Sequence, residues 1–203
     1  PTDPMSTISE EVTISFWSYG NEEVQPAHNS IFHAVDEANN RQANLHLPWG
    51  NGSIYWDCGN DGTGYDRINK AATPEEYEGT WSHWAVTKNA VSGDMKIYLN
   101  GVEVASMVDT VTKQDIASGP LAMQIGNAYG MTGSFHGAMD EVKIFNTALS
   151  AAEVAAEAAS LPAPSADLAA HWRLDVSGAD ETGVNAGTLT NGDASLFVEG
   201  ISG

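Results

Sequence analysis

The sequence predicts an all-β protein, a sandwich of two antiparallel sheets with one short α-helix near residues 150–159. Short runs of alternating apolar and polar residues, bounded by Gly, Asn and Asp, recur along the chain. Two Asn-Gly dipeptides, at 51–52 and at 100–101, lie between such runs and are typical of hairpin turns. The 203 residues, 42% of them hydrophobic, are enough for one such domain with a sizeable core.

The strands follow one another from the N-terminus, and the helix comes after them. Segments with strand alternation are Val12–Trp17, Ile31–Val35, Leu121–Ile125 and Met139–Phe145. Ser150 and Glu153 have the spacing of a capping box, in front of an Ala-rich run that ends at Ala159. Two prolines follow that run, so the helix is expected to stop there and residues 161–166 to form a linker.

The hairpin around Asn51–Gly52 separates an apolar face from a polar face. A two-residue turn there places Trp49 opposite Ile54 and His46 opposite Asp57, because opposite residues share a face of a sheet. The face expected in the core consists of Leu45, Leu47, Trp49, Ile54, Trp56 and Cys58. The opposite face consists of Asn44, His46, Pro48, Tyr55 and Asp57.

The polar face of this hairpin has two interpretations. Hydrogen-bonding side chains beside an aromatic ring suit a sugar, whose hydroxyls and apolar ring face they can contact together. The alternative is a solvated strand face on which a His–Asp pair fixes the register. The Gly-rich loop 59–67 follows the hairpin and adds two candidates. The candidate ligand-binding residues are Asn44, His46, Tyr55, Asp57, Tyr65 and Arg67.

The charge of the chain is strongly negative, with 27 acidic and 8 basic residues and a net charge of -19. Such a surface repels phosphate, so nucleic acid is not an expected partner. It argues in the same way against anionic membranes and, more weakly, against sulfated or uronate polymers. No segment has the roughly 18 apolar residues of a membrane span, so no membrane insertion is expected. The acidity is consistent with solubility in salty water and with cation binding.

Three segments resemble the signature of laminin-G-like, concanavalin-A-like jelly rolls: Trp81–Thr87, Lys96–Gly101 and Gly137–Phe145. The resemblance implies a jelly-roll sandwich that is mostly a recognition module and sometimes an enzyme. The C-terminal segment 167–203 resembles the opening strands of the same family, although here it comes last. It is expected to dock onto the core domain 1–160, in the same chain or by exchange with a neighbour. There are two alternatives: the segment 167–203 is the start of a further tandem domain, or the chain was cut internally.

Calcium is the cofactor that the resemblance implies. Asp140 shares strand alternation with Val142 and Ile144, so its carboxylate is expected to point inward. In the resembled family an Asp at this place often holds a structural Ca²⁺, and the alternative is a hydrogen bond from the backbone. A weaker set of oxygen ligands lies around the loop 59–67, where the spacing does not match an EF-hand. That set is Asp57, Asn60, Asp61 and Asp66.

No motif of the related enzymes is present in the sequence. The Glu-x-Asp-x-x-Glu strand of jelly-roll glucanases is missing, and Gln124-Ile125 is followed by Gly126 where polysaccharide lyases carry His. His46 and Tyr55 are residue types that lyases use as acid and base, but no basic residue is expected on their face to neutralise a uronate. The sequence therefore predicts a protein that is not an enzyme.

The predicted function is a non-catalytic, extracellular or cell-surface module that binds a polysaccharide or glycan, with Ca²⁺ as a structural ion. A chain that starts at Pro1 is typical of a mature segment or of a piece of a longer protein. The expected partners thus include neighbouring domains of a larger bacterial adhesin or polysaccharide-degrading protein. The alternative functions are a protein-binding or structural module of a tandem array and, less favoured, a divergent lyase or glycoside hydrolase.

Overall fold

The structure is a computed structural model. It describes residues 5, 8–60, 62, 64–108, 115–116, 122–128, 133–159 and 168–172, with the backbone alone for 106–108 and 168–172. The strands are β1 (Glu11–Gly20), β2 (Phe32–Val35), β3 (Arg41–His46), β4 (Ser53–Asn60), β5 (Tyr65–Ala71), β6 (Ser82–Asn89), β7 (Asp94–Leu99), β8 (Val102–Val108), β9 (Ala122–Ile125), β10 (Gly137–Phe145) and β11 (Leu168–Trp172). The helices are α1 (Pro74–Tyr77), a single turn, and α2 (Ala151–Ala159).

Two antiparallel sheets contain all of these strands. The six-stranded sheet has the order β11-β10-β1-β6-β7-β8, and the five-stranded sheet has the order β5-β4-β3-β2-β9. The sheets enclose one apolar core, to which Phe16 and Trp84 contribute from the first sheet and Leu45 and Trp56 from the second. The indole N–H of Trp56 crosses the core and donates to the carbonyl oxygen of Thr87 at 3.0 Å. The predicted all-β, two-sheet jelly-roll sandwich is confirmed.

A buried ion pair also joins the two sheets. Lys88 on β6 is fully buried and its ammonium donates to the carboxylate of Asp66 on β5. The same ammonium lies 3.4 Å from the carbonyl oxygen of Cys58. Asp66, named above among the possible calcium ligands, therefore points into the sandwich and pairs with a lysine. A buried charge needs such a partner because burial in a medium of low polarity is otherwise costly.

The two Asn-Gly sequences form different turns. Asn100 and Gly101 both have positive φ, +50° and +80°, and close a two-residue turn between β7 and β8, as predicted. The β3–β4 connection is longer, because β3 ends at His46 and the N–H of Trp49 bonds the carbonyl oxygen of Ser53. Pro48 has no N–H to donate to a ladder, which is the physical reason why the strand cannot continue through it.

The longer connection corrects the predicted register of this hairpin. His46 lies opposite Tyr55 rather than Asp57, and Asp57 lies opposite Asn44. Because the register shifts by an even number of residues, the strand residues keep their predicted faces. Trp49 is the exception. It is half-buried outside the core cluster, so its assignment to the apolar face was wrong.

A β-bulge in β10 corrects the predicted direction of Asp140. Ser15 pairs with Lys143 but Trp17 pairs with Asp140, so β10 has one extra residue there, and Glu141 has a φ of +51°. Such a residue reverses the alternation of side chains beyond it. Asp140 therefore shares a face with Trp17, away from the core side of Val142 and Ile144. It is nonetheless buried, at 2% exposure.

Helix α2 covers part of the outer side of the six-stranded sheet. Ser150 and Glu153 form the predicted capping box: the Ser150 N–H donates to the Glu153 carboxylate at 2.7 Å, and the Glu153 N–H donates to Ser150 Oγ at 3.4 Å. Val154 packs against Ala85 and Tyr98. The single turn α1 begins at Pro74, in a segment outside the strands and the helix predicted above.

Strand β11 lies at the edge of the six-stranded sheet, beside β10. Its backbone pairs with β10 in an antiparallel register from Leu168, opposite Phe145, to Trp172, opposite Val142. Residues 161–167 and 173–203 lie outside the described residues, as do the side chains of β11. The linker and the docking of the complete segment 167–203 therefore stay predictions.

Candidate functional site

A row of polar side chains crosses the five-stranded sheet on the side turned away from the core. Directly opposed residues of successive strands form it, in the order Arg67, Asp57, Asn44, His33 and Gln124. The next row along the strands consists of Ile68, Trp56, Leu45, Phe32 and Ile125, which belong to or pack on the core. We call the outward side the polar face. It also carries Tyr55 and His46 in a neighbouring row.

Asp57 is the centre of a charged network on the polar face. Its carboxylate is fully buried and accepts hydrogen bonds from Arg67 Nε at 2.5 Å, Arg67 Nη2 at 2.8 Å and Arg41 Nη1 at 2.5 Å. Tyr65 lies against both guanidinium groups, 4.8 Å from Arg41 and 5.1 Å from Arg67, and Tyr55 lies 4.8 Å from Arg67. Hydrogen bonding to Asp57 raises the pKa of Arg67, and arginine side chains are charged at neutral pH in any case.

His46 and Asn44 form a second, neutral network beside the first. His46 Nδ1 lies 2.6 Å from the carbonyl oxygen of Asn29, and His46 Nε2 lies 2.9 Å from Asn44 Nδ2. The carbonyl requires a proton on Nδ1, so Nε2 accepts from the Asn44 amide and the ring is neutral. Among the described residues, Asn44 Oδ1 and Gln124 Oε1 have no hydrogen-bond partner although both atoms are buried. Both atoms belong to residues of the row that crosses the polar face.

Trp49 forms an aromatic shelf at one end of the polar face. Its ring centre lies 4.4 Å from the ring of His28 and 4.4 Å from the ring of His46. His46 also meets Tyr55 edge-on at 6.2 Å, and the Tyr55 hydroxyl accepts from Asn51 Nδ2 at 2.8 Å. Trp49 and Tyr55 are half-buried and His28 is exposed, so part of each ring remains accessible.

Closely packed loops fix the position of this shelf. The Asn29 amide donates to the carbonyl oxygens of Ala27 and Pro48, and Gln25 donates to the carbonyl oxygen of His136. A Cβ on Gly50 would lie 2.7 Å from the His28 ring, so the absence of a side chain there lets the two loops meet. The shelf is therefore held in place without a ligand.

The histidines of the polar face stay neutral near pH 7. Burial, with a smaller contribution from the positive charge of Arg41, lowers the pKa of His33 to about 4. Burial also lowers the pKa of His46, although its hydrogen bond to Asn29 and the charge of Asp57 oppose this shift. The polar face thus offers hydrogen-bonding imidazole groups and permanently charged guanidinium groups.

The structure places all six predicted ligand-binding residues on one face, around these networks. Asn44, His46 and Asp57 are buried in it, so the alternative of a freely solvated strand face is wrong for them. Tyr55 is half-buried, and Tyr65 and Arg67 are exposed at the sheet edge.

Sequence reasoning missed Arg41, and its expectation of a face without basic residues was wrong. A bulge between Ala34 and Val35 leaves Gln42 as an extra residue in β3. Such a bulge re-aims neighbouring side chains, and Arg41 reaches Asp57 across the polar face. Alternation alone does not reveal this position. Trp49 and His28 were missed because both lie in loops.

The calcium sites expected from the sequence are not assembled by the described residues. Asp140 accepts the N–H of Glu141 at 2.8 Å, which is the backbone alternative named above. Asp57 and Asp66 pair with basic side chains, and Asp61 lies outside the described residues. Within the described part of the chain, no three His, Cys, Asp or Glu side chains converge as metal ligands would. Calcium therefore remains a prediction.

Comparison with protein families gives a match over most of the chain. A family model described as "Concanavalin A-like lectin/glucanases superfamily" matches residues 1–155. No curated protein sequence matches the chain. No helix among the described residues has the length and apolar character needed to cross a membrane.

Solved structures share the fold at low sequence identity. Domain 4 of AbnA, an extracellular GH43 arabinanase from Geobacillus stearothermophilus solved with arabinotriose, is 22% identical with a TM-score of 0.59. The match covers 77% of this chain and 70% of that domain. The ligand-binding domain of botulinum neurotoxin serotype D, solved with N-acetylneuraminic acid, is 19% identical with a TM-score of 0.57. The match covers 76% of this chain and 37% of that one.

Another botulinum structure, the receptor-binding domain of the C/D mosaic serotype, is 18% identical with a TM-score of 0.55. That match covers 74% of this chain but only 36% of the toxin domain. The chain thus spans little more than a third of the botulinum domains that it matches. At these identities the likeness shows the fold.

Proposed function

The chain belongs to the concanavalin A-like lectin/glucanase superfamily, and we propose that it is a non-catalytic module that binds a glycan on its polar face. The observation that carries the proposal is the aromatic shelf of Trp49 beside the row of polar side chains. A sugar presents an apolar ring face and several hydroxyl groups, so it needs an aromatic surface next to hydrogen-bonding groups.

The geometry of the polar face supports this assignment. Trp49 and Tyr55 are held by stacking and hydrogen bonding before any ligand arrives, which lowers the entropic cost of binding. Two solved structures of the same fold contain arabinotriose and N-acetylneuraminic acid.

The non-catalytic part of the proposal rests on the charges of the face. Retaining glycoside hydrolysis uses two carboxylates roughly 5 Å apart. Asp57 is the carboxylate in the described row, and its oxygens are occupied by two arginines. A lyase is the second enzymatic candidate, since His46 and Tyr55 lie opposite each other. Against it, both ring nitrogens of His46 already have hydrogen-bond partners.

A glycan array is the experiment that tests the proposal. Wild-type protein is expected to bind at least one glycan, and Trp49→Ala and Tyr55→Ala are each expected to weaken binding by up to about tenfold, since stacked aromatic groups contribute about 0.5–1.5 kcal/mol beyond the area that they bury. Trp81→Ala is the matched control, because Trp81 is also a half-buried tryptophan, stacked edge-on against Tyr19 on the other sheet. Equal losses in all three variants, or wild-type binding that survives both site substitutions, would contradict the proposal.

The proposed glycan binding also indicates where the protein acts. We infer an extracellular or cell-surface location and a role as one domain of a larger bacterial adhesin or polysaccharide-degrading protein. A structural Ca²⁺ near Asp140 completes the proposal. Removal of calcium with a chelator is then expected to lower the melting temperature of the protein. An unchanged melting temperature would contradict the proposed calcium site.

A protein-binding or structural role in a tandem array is the second candidate function. The edge position of β11 favours it, because an edge strand can pair with a neighbouring domain. A chain that binds no glycan and associates with an adjacent domain would support this candidate.

A further inference from the structure

We propose that the polar face binds an acidic glycan, and that Arg41 and Arg67 form the subsite for its carboxylate. The inference rests on the proposed glycan-binding function and names the class of sugar. It depends on one observation: two guanidinium groups share a single buried carboxylate.

The charges of this network do not cancel. Arg41 and Arg67 carry one positive charge each and Asp57 carries one negative charge, so the three together have a net charge of +1. The side chain of Asp57 is 0% exposed, whereas those of Arg41 and Arg67 are 27% and 37% exposed. The negative charge therefore lies beneath the surface and the two positive charges face the solvent.

The arginines keep hydrogen-bond donors for a ligand. A guanidinium group has five N–H donors. Asp57 accepts from Arg67 Nε, from one N–H of Arg67 Nη2 and from one N–H of Arg41 Nη1. Most of the N–H groups of the two arginines therefore do not bond this carboxylate. Guanidinium groups bind carboxylates through paired N–H donors, which is the geometry that an acidic sugar would use.

The aromatic rings around the arginines hold the subsite in place. Tyr65 faces both guanidinium groups and Tyr55 faces Arg67, at 4.8–5.1 Å. Tyr55 also adjoins the aromatic shelf through its contact with His46. A sugar ring on the shelf and a carboxylate at the arginines would thus occupy one continuous surface.

The acidity of the whole chain does not prevent this binding. At physiological salt, exposed charges more than about 8 Å apart are largely screened. The charged groups in direct contact with a ligand therefore determine whether its carboxylate is attracted. Asp36 lies in the connection between β2 and β3, and among the described residues it forms no ion pair with Arg41, which pairs with Asp57. The Asp36 carboxylate accepts hydrogen bonds from Ala38, Asn40 and Gln42. The chain-wide charge of -19 instead slows the approach of long polyanions, so short or chain-end acidic glycans are favoured.

The test compares matched acidic and neutral glycans. The probes are oligogalacturonides and sialylated oligosaccharides, each beside its carboxyl-reduced or desialylated counterpart, measured by calorimetry at neutral pH and physiological salt. The wild-type protein is expected to bind an acidic probe about tenfold or more tightly than its neutral counterpart. Arg41→Gln and Arg67→Gln are each expected to remove this preference, because the affinity for the acidic probe falls by a larger factor than the affinity for its neutral counterpart.

A charge change of opposite sign makes the test specific. Asp57→Asn raises the net charge of the network and is expected to increase the preference for acidic probes. If that variant does not fold, Arg67→Lys replaces it: the charge stays, the paired donors are lost, and the preference falls partway. Lys96→Gln is the control, because Lys96 pairs with Glu103 on the other sheet.

The outcomes separate this inference from the proposed function. Equal affinity for acidic and neutral probes, or a preference that survives both arginine substitutions, overturns the carboxylate subsite while glycan binding stands. An absence of binding to every probe and every array glycan overturns both.

Discussion

Buried histidines make the stability of this protein depend on pH. His83 is 2% exposed, and burial, with a smaller contribution from the charge of Lys143, lowers its pKa to about 4. In the unfolded chain the pKa of a histidine is 6.5. Between these two values the unfolded chain binds more protons than the folded protein, so the free energy of unfolding decreases as the pH falls.

The prediction is a loss of stability from about pH 6.5 towards pH 4, with a contribution of at most about 1.4 kcal/mol per pH unit from His83. Urea unfolding at several pH values measures it. His83→Gln is expected to flatten the dependence, whereas His28→Gln, at an exposed ring, is expected to retain it. Parallel curves for wild type and His83→Gln would refute the assignment.

Single residues also show when the direction of a side chain can be predicted from the sequence and when it cannot. Alternation predicted that Asn44, His46 and Asp57 share a face, because the period of two in a strand places them on the same side whatever the exact register. Trp49, Arg41 and Asp140 were misplaced or missed. Each lies beyond a proline or a bulge, where one residue outside the ladder ends the alternation.

Among the elements, the β7–β8 hairpin depends on close packing against α2. Gly101 has a φ of +80°, and a Cβ there would lie 3.0 Å from Ala155 Cα and 3.3 Å from Ala158 Cβ. An alanine therefore meets two costs, the left-handed backbone and the contact with the helix. The backbone alone costs about 1–2 kcal/mol.

Gly52 provides the matched control, because its φ is +77° and the single atom near its Cβ position is 4.0 Å away. Gly101→Ala is expected to lower the free energy of unfolding by more than Gly52→Ala does. Chemical denaturation of the two variants measures the difference. Equal losses of unfolding free energy in the two variants would mean that α2 moves away from the new methyl group at no energetic cost.

The two hairpins explain how far elements can be predicted from the sequence. An Asn-Gly dipeptide predicts a two-residue turn when ladder-forming residues continue on both sides, as they do at Asn100–Gly101. At Asn51–Gly52 the approaching strand contains Pro48, and the turn widens. The capping box of α2 depends only on residues close in sequence, which is why it was predicted correctly.

For the whole molecule, β11 is an edge strand of the six-stranded sheet, and it pairs with the hydrogen-bonding groups of β10. A chain that ends at residue 165 would lack it and expose the hydrogen-bonding edge of β10. We expect such a chain to melt about 2–8 °C lower than the full chain, corresponding to a loss of about 1–2 kcal/mol, and to self-associate more. Calorimetry and light scattering measure both. An unchanged melting temperature would show that the C-terminal segment contributes nothing to the domain.

The fold as a whole was predictable because many local signals agree with one architecture. Hairpin turns, alternation and the three signature segments all favour the same sandwich, and the family match over residues 1–155 confirms it. The position of the side chains of the candidate site was less predictable. It depends on which loops meet at the end of the five-stranded sheet, and contacts such as Asn29 with Pro48 join residues 19 positions apart.

The single cysteine gives the protein an internal reporter of its own opening. Cys58 is fully buried between the sheets, and burial raises the pKa of its thiol to about 12. A thiol reagent attacks the thiolate of an accessible cysteine, so modification requires that the sheets first separate. With no second cysteine to complicate the signal, the labelling rate follows the frequency of that separation. The sandwich can thus be followed in solution, with or without a glycan, without introducing any label site.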